Sequence, residues 1–311
     1  MFNGIYTIVY AFFDAAGRLD RESMRRQVQA CVAMGAHGIG ILGLTTEVSK
    51  LSDAERRQVI DWTVSDVAAS GRRIPIACTI FGNSVNAQAE LATYAQQAGV
   101  DWLILQPPRR RPGGQIVDEP YCFDFFLAVM EQCALPVAIQ NAPEYLGVGL
   151  SNASLSRLMQ RASNFNVLKG EGSATLIQQT IAALGDRIAV LNGRGGLELP
   201  DQIRAGVAGM IVDPSSADWQ VKVWNAMLPH GRQTGAVPVE DQVAAADYAA
   251  ILPAICFVMQ SIDTLVVYGK RLFARRLGLR VVYDREPILP PTPFGLQCVE
   301  RFASRLGALP S

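Results

Sequence analysis

Eight short apolar runs alternate with longer amphipathic stretches along the first two-thirds of the chain, and this alternation limits the possible folds more than any other feature. Each run is four to eight residues long and rich in Ile, Val, Leu or Ala, which is typical of strands buried on both faces. The stretch after the second run begins with a capping box, Ser52 with Glu55, and continues at helical spacing. The runs cover residues 5–12, 37–42, 74–79, 101–105, 136–140, 166–169, 187–191 and 207–212.

This strand–helix alternation predicts an α/β fold, a (β/α)8 TIM barrel. A doubly wound open sheet is the alternative, but no GxGxxG motif follows the first run. The remaining hundred or so residues lack strand runs. They predict two or three helices over 242–279, a Pro-rich connection over 285–295 and a last helix near 297–306. We therefore expect a barrel over residues 1–220 and a C-terminal helical subdomain over 221–311, packed on the barrel.

The charge balance excludes some classes of partner. The chain has 28 acidic and 28 basic residues and no formal net charge, so we expect neither nucleic acid nor an anionic membrane as a partner. The six cysteines form no CxxC pair and lie mostly in apolar stretches, as small buried side chains in a reducing cytosol do. With only His37 and His230 available, we expect no metal site.

The expected location is the cytoplasm. The first twenty residues have no basic region before their apolar stretch and reach a charged residue at Asp14, unlike a secretory signal. No apolar run has the length of a membrane span. We therefore expect a soluble protein.

The residues that follow the strands are the candidates for a site, because barrel active sites lie at the carboxyl ends of the strands. Strand 2 is followed by residues 43–47, strand 5 ends in 139–143 and strand 6 in 168–172. Strand 7 ends in 191–196, which includes Asn192, and strand 8 in 212–216, which includes Asp213. Asp213 is a candidate for binding substrate hydroxyls or, equally, for capping the next helix.

One of the four lysines, Lys169, ends the sixth run, two residues before Glu171. A lysine in a dry barrel mouth loses hydration, which favours the neutral amine that attacks a carbonyl to form a Schiff base. Because side chains alternate along a strand, Glu171 points the same way and could move protons beside the imine. The alternatives are a lysine that reaches water and a plain ion pair between the two residues.

Several motifs in order along nearly the whole chain resemble the dihydrodipicolinate synthase and N-acetylneuraminate lyase family of class I aldolases. The segment ILGLTTEVSKLSDAER is similar to the strand-2 motif G-[TS]-T-G-E and the helix after it. LPVAIQNAP resembles PV-x-L-Y-N-x-P of strand 5, and VLKGEG resembles the Schiff-base segment x-I-K-[DE] of strand 6.

The resemblance implies a pyruvate-type 2-oxo acid bound as an imine on Lys169, with no metal and no organic cofactor. It implies that Thr45 and neighbouring backbone N–H groups, in the segment that includes Gly43 and Thr46, hold the substrate carboxylate. Family members are commonly dimers or tetramers, so we expect a homodimer or homotetramer.

The departures from the family motifs bear on the substrate. The strand-5 tyrosine that relays protons in the family is replaced by Gln140, which takes up or releases no proton near neutral pH. Leu44 replaces the first motif hydroxyl, and the tyrosine pair after strand 4 falls near Pro108 and Arg109. The arginine that grips a second carboxylate in the synthase falls near Tyr145. We therefore do not expect dihydrodipicolinate synthesis.

The leading interpretation is a Schiff-base lyase that acts on a 2-oxo acid. It either cleaves or forms a 4-hydroxy-2-oxo acid or dehydrates a 2-oxo-3-deoxy sugar acid, with Glu171 in place of the missing tyrosine and Gln140 orienting the substrate. Losing the tyrosine relay favours dehydration slightly. The alternatives are a barrel that binds a 2-oxo acid without turnover and a phosphosugar enzyme that uses backbone N–H groups after strand 7. Arg109, Arg110 and Arg111 could hold an acidic substrate tail, although a solvated loop explains them as well.

Overall fold

Eight parallel strands close into a barrel in the computed structural model, which describes residues 2–228 and 239–310; His230 lies outside these residues. Each strand pairs with the next one in the sequence, and the eighth pairs with the first. This is the predicted (β/α)8 fold. The strands are β1 (Gly4–Ile8), β2 (Gly38–Ile41), β3 (Ile76–Ile80), β4 (Trp102–Leu105), β5 (Val137–Asn141), β6 (Phe165–Gly170), β7 (Ala189–Asn192) and β8 (Gly209–Val212).

Helices follow the strands and cover the outside of the barrel. Several begin at a serine whose side chain accepts a hydrogen bond from a backbone N–H, and the capping box predicted at Ser52 and Glu55 is present. The helices are α1 (Arg21–Ala33), α2 (Asp53–Ala69), α3 (Val85–Ala98), α4 (Glu119–Met130), α5 (Pro143–Leu146), α6 (Asn152–Arg161), α7 (Ala174–Leu184), α8 (Leu199–Ala205) and α9 (Ala217–Met227).

The C-terminal part is helical, as predicted. It contains α10 (Val239–Val258), α11 (Ile262–Thr264), a π-helical turn (Leu265–Gly269), α12 (Lys270–Arg276) and α13 (Pro293–Leu306). Helix α10 packs against α9, and α13 packs against α12. The guanidinium of Arg276 is 2.6 Å from the Asp218 carboxylate and ties α12 to α9. The boundary proposed between residues 220 and 221 falls within α9.

The expectation that no segment has the length and composition of a membrane span was wrong for α10. Residues Asp241–Val258 of α10 have a mean hydropathy of 1.3 and are long and apolar enough to span a membrane by composition alone. Core helices of globular proteins meet the same criterion. Helix α10 packs against α9, and 39% of this segment is buried within the part of the chain that the structure describes.

Two element boundaries differ from the prediction. The first strand ends at Ile8 instead of residue 12, because the backbone of Tyr10 pairs with the Gln27 side chain instead of a neighbouring strand. Gln27 accepts a hydrogen bond from the Tyr10 N–H and donates one to the Tyr10 carbonyl, both at 2.9 Å. The last helix begins at Pro293 instead of near residue 297. Thr292 caps it, and Pro293 fits the first turn because a proline needs no hydrogen-bond acceptor there.

Side chains fill the barrel interior with an apolar core. Trp102 of β4 packs edge-on against Tyr6 of β1, with ring centroids 5.4 Å apart. A second and larger apolar core lies between the strands and the surrounding helices. The inner core consists of Tyr6, Ile8, Ala77, Trp102, Ile104, Ala138, Val167, Leu191 and Ile211.

Candidate active site

A recess of about 410 Å3, including the part open to solvent, lies at the carboxyl ends of the strands. Its walls come from β1, β6 and β8, from the loops that follow β2 and β7, and from α5. Met259, Ile262 and Leu265 of the C-terminal helices cover one side of it. Of the predicted site residues, Thr45, Lys169, Glu171 and Asp213 line this cavity.

Lys169 and Glu171 lie together at the end of β6. Both side chains are 6% exposed, and the lysine Nζ is 3.1 Å from the Glu171 Oε1. Both residues face the cavity, as the strand alternation predicted. The lysine therefore neither extends to bulk water nor lies alone, and its amine has an acceptor for a proton beside it.

Gln140 of β5, the strand next to β6, donates a hydrogen bond to the Glu171 carboxylate. Gln140 is paired with Lys169 in the β5–β6 register, and its amide N–H donates to the Glu171 Oε1 at 2.7 Å. Gln106, immediately after β4, donates to the Gln140 Oε1 at 2.9 Å and thereby fixes the orientation of that amide. Gln140 does not line the cavity, and its predicted contact with substrate stays a prediction.

The loop after β2 contains three of the predicted substrate-binding residues, and their surroundings differ. The Thr45 hydroxyl is 3.4 Å from the Ile8 carbonyl, and Thr45 lines the cavity. The buried Thr46 hydroxyl donates to the Val9 carbonyl at 2.6 Å. At Gly43 a Cβ would lie 2.9 Å from the Ile8 side chain. Of these three residues, Gly43 and Thr46 shape the loop, and Thr45 lines the cavity.

Asn192 is buried at the end of β7 behind the cavity wall. Its side-chain N–H donates to the Gly172 carbonyl at 2.8 Å, and Gln202 donates to the same carbonyl at 3.1 Å. Asn192 therefore fixes the chain immediately after Glu171. Asn192 does not line the cavity, and its predicted contact with substrate stays a prediction.

Asp213 follows β8 and faces the cavity with a buried carboxyl. Its Oδ1 accepts from the Tyr10 hydroxyl at 2.9 Å and from the Ser215 N–H at 2.8 Å. Burial raises the pKa of Asp213, and the hydrogen bonds from Ser215 and Tyr10 partly oppose this. The helix-capping alternative does not hold, because Ser216 occupies the cap position of α9.

Two cavity residues, Tyr145 and Arg194, were not predicted as site residues. Tyr145 comes from α5, and Arg194 from the turn after β7. Burial raises the pKa of Tyr145, while a hydrogen bond with Arg194 lowers it, so the two side chains are neighbours. Arg109 and Arg110 lie in an exposed loop after β4, and Arg111 pairs with Asp118; none of the three lines the cavity.

No group of three or more His, Cys, Asp or Glu side chains within residues 2–228 and 239–310 is arranged to hold a metal ion. The polar groups at the barrel mouth are an amine, two carboxyls, a guanidinium and hydroxyls. These groups can form an imine, move protons and bind anionic or hydroxylated molecules.

Comparison with known proteins agrees with this geometry. The model of the dihydrodipicolinate synthetase family matches residues 1–251. A 4-hydroxy-tetrahydrodipicolinate synthase from Methanothrix thermoacetophila is 29% identical over 215 residues, 68% of each chain. One from Bartonella tribocorum is 25% identical over 317 aligned residues, 99% of each chain.

A solved structure has the same fold. YagE, an Escherichia coli K12 prophage protein belonging to the dihydrodipicolinic acid synthase family and solved in complex with pyruvate, superposes with a TM-score of 0.82. The two chains are 22% identical, and the match covers 98% of this chain and 99% of the other. The extent of the family match, with a lysine at the end of β6 in a closed barrel, leads to one conclusion: the chain belongs to the dihydrodipicolinate synthetase family, a family of Schiff-base, aldolase-type lyases.

Proposed function

We propose that this protein is a lyase that binds a 2-oxo acid as an imine on Lys169. The observation that carries the proposal is the position of the Lys169 amine, in the wall of a cavity and 3.1 Å from a carboxylate that can take its proton. The amine attacks the C2 carbonyl of the substrate, water leaves, and the imine then withdraws electrons from C3. The pyruvate bound to the related YagE is a molecule of this class.

The proton transfers are assigned to Glu171 and Asp213. The Glu171 carboxylate lies 3.1 Å from the Lys169 amine and accepts a hydrogen bond from Gln140, and it takes the C3 proton. Asp213 has a pKa raised by burial and holds a proton more readily. A carboxyl whose pKa is raised by burial suits the acid role, and the second carboxyl then serves as the base.

This pair favours dehydration of a 2-oxo-3-deoxy sugar acid over aldol cleavage. In dehydration, a base removes the C3 proton to give an enamine, and an acid protonates the C4 hydroxyl, which leaves as water. In aldol cleavage, a base removes the C4 hydroxyl proton and the C3–C4 bond breaks. The acid role for Asp213 extends its predicted contact with substrate hydroxyls.

We further propose that the protein does not make 4-hydroxy-tetrahydrodipicolinate, the product after which its synthase relatives are named. What supports this is Gln140, which stands at the position of the tyrosine that relays protons in the family. A glutamine amide accepts and donates hydrogen bonds but does not exchange a proton near neutral pH. The proposed assembly, a homodimer or homotetramer, rests on the family and is checked by light scattering.

The experiment is reduction with sodium borohydride in the presence of pyruvate, followed by intact mass spectrometry of the wild type and Lys169→Ala. A pyruvyl adduct on the wild type and none on the variant supports the imine. A panel of sugar-derived 2-oxo acids then measures turnover. An adduct without turnover on any member favours the binding barrel, and no adduct together with competition by inorganic phosphate favours the phosphosugar enzyme.

A further inference from the structure

Three buried glutamines lie side by side across the carboxyl ends of β3 to β6. Gln88 comes from α3, which follows β3, Gln106 follows β4, and Gln140 lies in β5. They are 0%, 3% and 1% exposed. The series ends at Glu171, the proposed base, which lines the cavity. Buried amides cost free energy unless they are hydrogen-bonded, so the partners of these three side chains show what they do.

The backbone of Gln106 is held from two sides. Its N–H donates to the Ile80 carbonyl of β3 at 3.1 Å, and its carbonyl accepts from the Gln88 side chain at 2.8 Å. Pro107 comes next and restricts the backbone of the residue before it. The Gln106 side chain therefore starts from a fixed point beside β5.

Gln106 and Gln140 form a chain of hydrogen bonds with a fixed direction, which we call the amide chain. The Gln106 Nε2 donates to the Gln140 Oε1 at 2.9 Å, and the Gln140 Nε2 donates to the Glu171 Oε1 at 2.7 Å. A Gln140 amide rotated by 180° would turn its oxygen toward the carboxylate and place two acceptors face to face. The Gln106 N–H opposes this rotation, because it requires the Gln140 oxygen as its acceptor.

The end point of the amide chain sets it apart from other buried amides in this protein. Main-chain carbonyls accept from the side chains of Gln27, Gln88, Asn192 and Gln202. Gln106 and Gln140 instead donate to side chains, which is the less common kind of hydrogen bond in proteins. Their chain ends on a carboxylate at the cavity, whereas a structural role needs only backbone partners.

We propose that Gln106 is a positioning residue for proton removal at C3, acting through Gln140 on Glu171. Gln106 keeps the Gln140 N–H directed at Glu171, and that N–H keeps the Glu171 carboxylate in place beside the imine. A base must lie within hydrogen-bond reach of the proton that it removes, so a displaced carboxylate is a slower base. Neither glutamine gains or loses a proton. The inference rests on the proposed function, which makes Glu171 the base.

The test uses a partial reaction that needs no second substrate. On the pyruvate imine, Glu171 takes a methyl proton, the C–H electrons form the C2–C3 double bond of the enamine, and the imine nitrogen becomes neutral. In D2O a deuteron then returns to C3, so NMR follows the loss of the pyruvate methyl protons. The probe is the shortest 2-oxo acid that gives a borohydride adduct on Lys169, beginning with pyruvate.

Gln106→Met has nearly the length of glutamine but no N–H. At saturating pyruvate it should slow the exchange about fivefold, the effect of weakening one hydrogen bond. The half-saturating pyruvate concentration in borohydride labelling should not change, because Gln106 does not line the cavity. In the Gln140→Leu background, Gln106→Met should slow the exchange no further, since the amide chain is already broken there.

Control variants separate positioning from folding. Gln132→Met removes an exposed amide just after α4, which donates to the Ala128 carbonyl, and should exchange at the wild-type rate. Gln106→Asn keeps the amide on a side chain one methylene shorter and should be slowed like Gln106→Met, so it provides the same test if the methionine variant does not fold. Circular dichroism and urea denaturation establish that each barrel is intact.

Exchange at the wild-type rate in a folded Gln106 variant would overturn the inference. An equal slowing by Gln106→Met in the wild-type and Gln140→Leu backgrounds would also overturn it, because Gln106 would then act by another route. An adduct on Lys169 without any exchange in the wild type would do the same, since no base would act at C3. If no 2-oxo acid labels Lys169, the proposed function itself fails, which is a different outcome.

Discussion

Two buried lysine–glutamate pairs lie in this protein, and their surroundings differ. Lys169 and Glu171 lie in the wall of the cavity, with 6% of each side chain exposed. Lys270 of α12 donates to Glu47 in the loop after β2, where the side chains are 0% and 2% exposed. Lys50 also reaches Glu47, at 2.6 Å. The first pair borders an open space, and the second is enclosed.

The enclosed pair shows that burial and an acidic neighbour do not by themselves make a reactive lysine. Burial lowers the pKa of Lys270, against the raising effect of Glu47. The Lys270 ammonium lies over the Phe13 ring, 5.3 Å from its centroid, where no carbonyl compound can approach. Access to the amine therefore distinguishes Lys169, and the Lys270 pair joins the C-terminal helices to the loop that carries Thr45.

The largest expected effect is a loss of turnover when Glu171, the acid of the pair at the cavity, is replaced. Glu171→Gln keeps a hydrogen-bonding side chain beside Lys169 but removes the proposed base, so turnover should fall by about 10²–10⁴-fold. Pyruvate labelling of Lys169 should still reach completion, but more slowly, because Glu171 also takes the proton of the amine. Steady-state kinetics measure turnover, and intact mass spectrometry measures the pyruvate adduct. Unchanged turnover would exclude Glu171 from the mechanism.

The second expected effect concerns stability. Lys270→Met leaves the Glu47 carboxylate buried with only Lys50 as a cationic partner, so the free energy of unfolding should fall by about 3 kcal/mol. Urea denaturation measures the loss. Pyruvate labelling of the folded fraction should remain on Lys169. A variant as stable as the wild type would contradict the structural role of this pair.

A smaller effect is expected at Gln140. Gln140→Leu removes the N–H that donates to Glu171 and should lower turnover about tenfold, the effect of one hydrogen bond worth about 1.4 kcal/mol. The half-saturating pyruvate concentration in the labelling reaction should not change. A large rise in that concentration would instead indicate that Gln140 contacts the substrate directly.

The smallest expected effect is a pH dependence of stability from Asp213. Its folded-state pKa is raised, so protonation favours folding: this contribution is complete below the unfolded pKa, near 4, and is lost as the pH rises through the folded pKa. Asp213→Asn cannot ionise and should become more stable relative to the wild type as the pH rises above about 4. Urea denaturation at several pH values checks this, and a parallel pH profile for the two proteins would contradict it.

The sequence was sufficient to predict the barrel and the residues at its strand ends. Lys169 ends an apolar run, and Glu171, Thr45 and Asp213 come shortly after one, so the rule that places barrel sites at strand ends found them. Applied to the fourth run, the same rule would also have found Gln106. Gly43, Thr46 and Asn192 satisfy the rule but support the neighbouring backbone instead of lining the cavity.

The rest of the site depends on geometry that one sequence does not display. Arg194 reaches the cavity because its φ is positive, and residue order alone does not reveal this. Tyr10 and Asp213 are 203 residues apart, and Glu47 and Lys270 are 223 apart, so their contacts exist only once the barrel has closed and the C-terminal helices have packed on it.

The most direct measurement is peptide mapping of the borohydride-reduced pyruvate adduct across all four lysines of the wild-type protein. The account predicts the adduct on Lys169 alone and an unmodified Lys270, although both amines are buried beside a glutamate. An adduct on Lys270, or labelling of Lys50 or Lys222 equal to that of Lys169, would contradict the claim that the open cavity makes one buried lysine reactive.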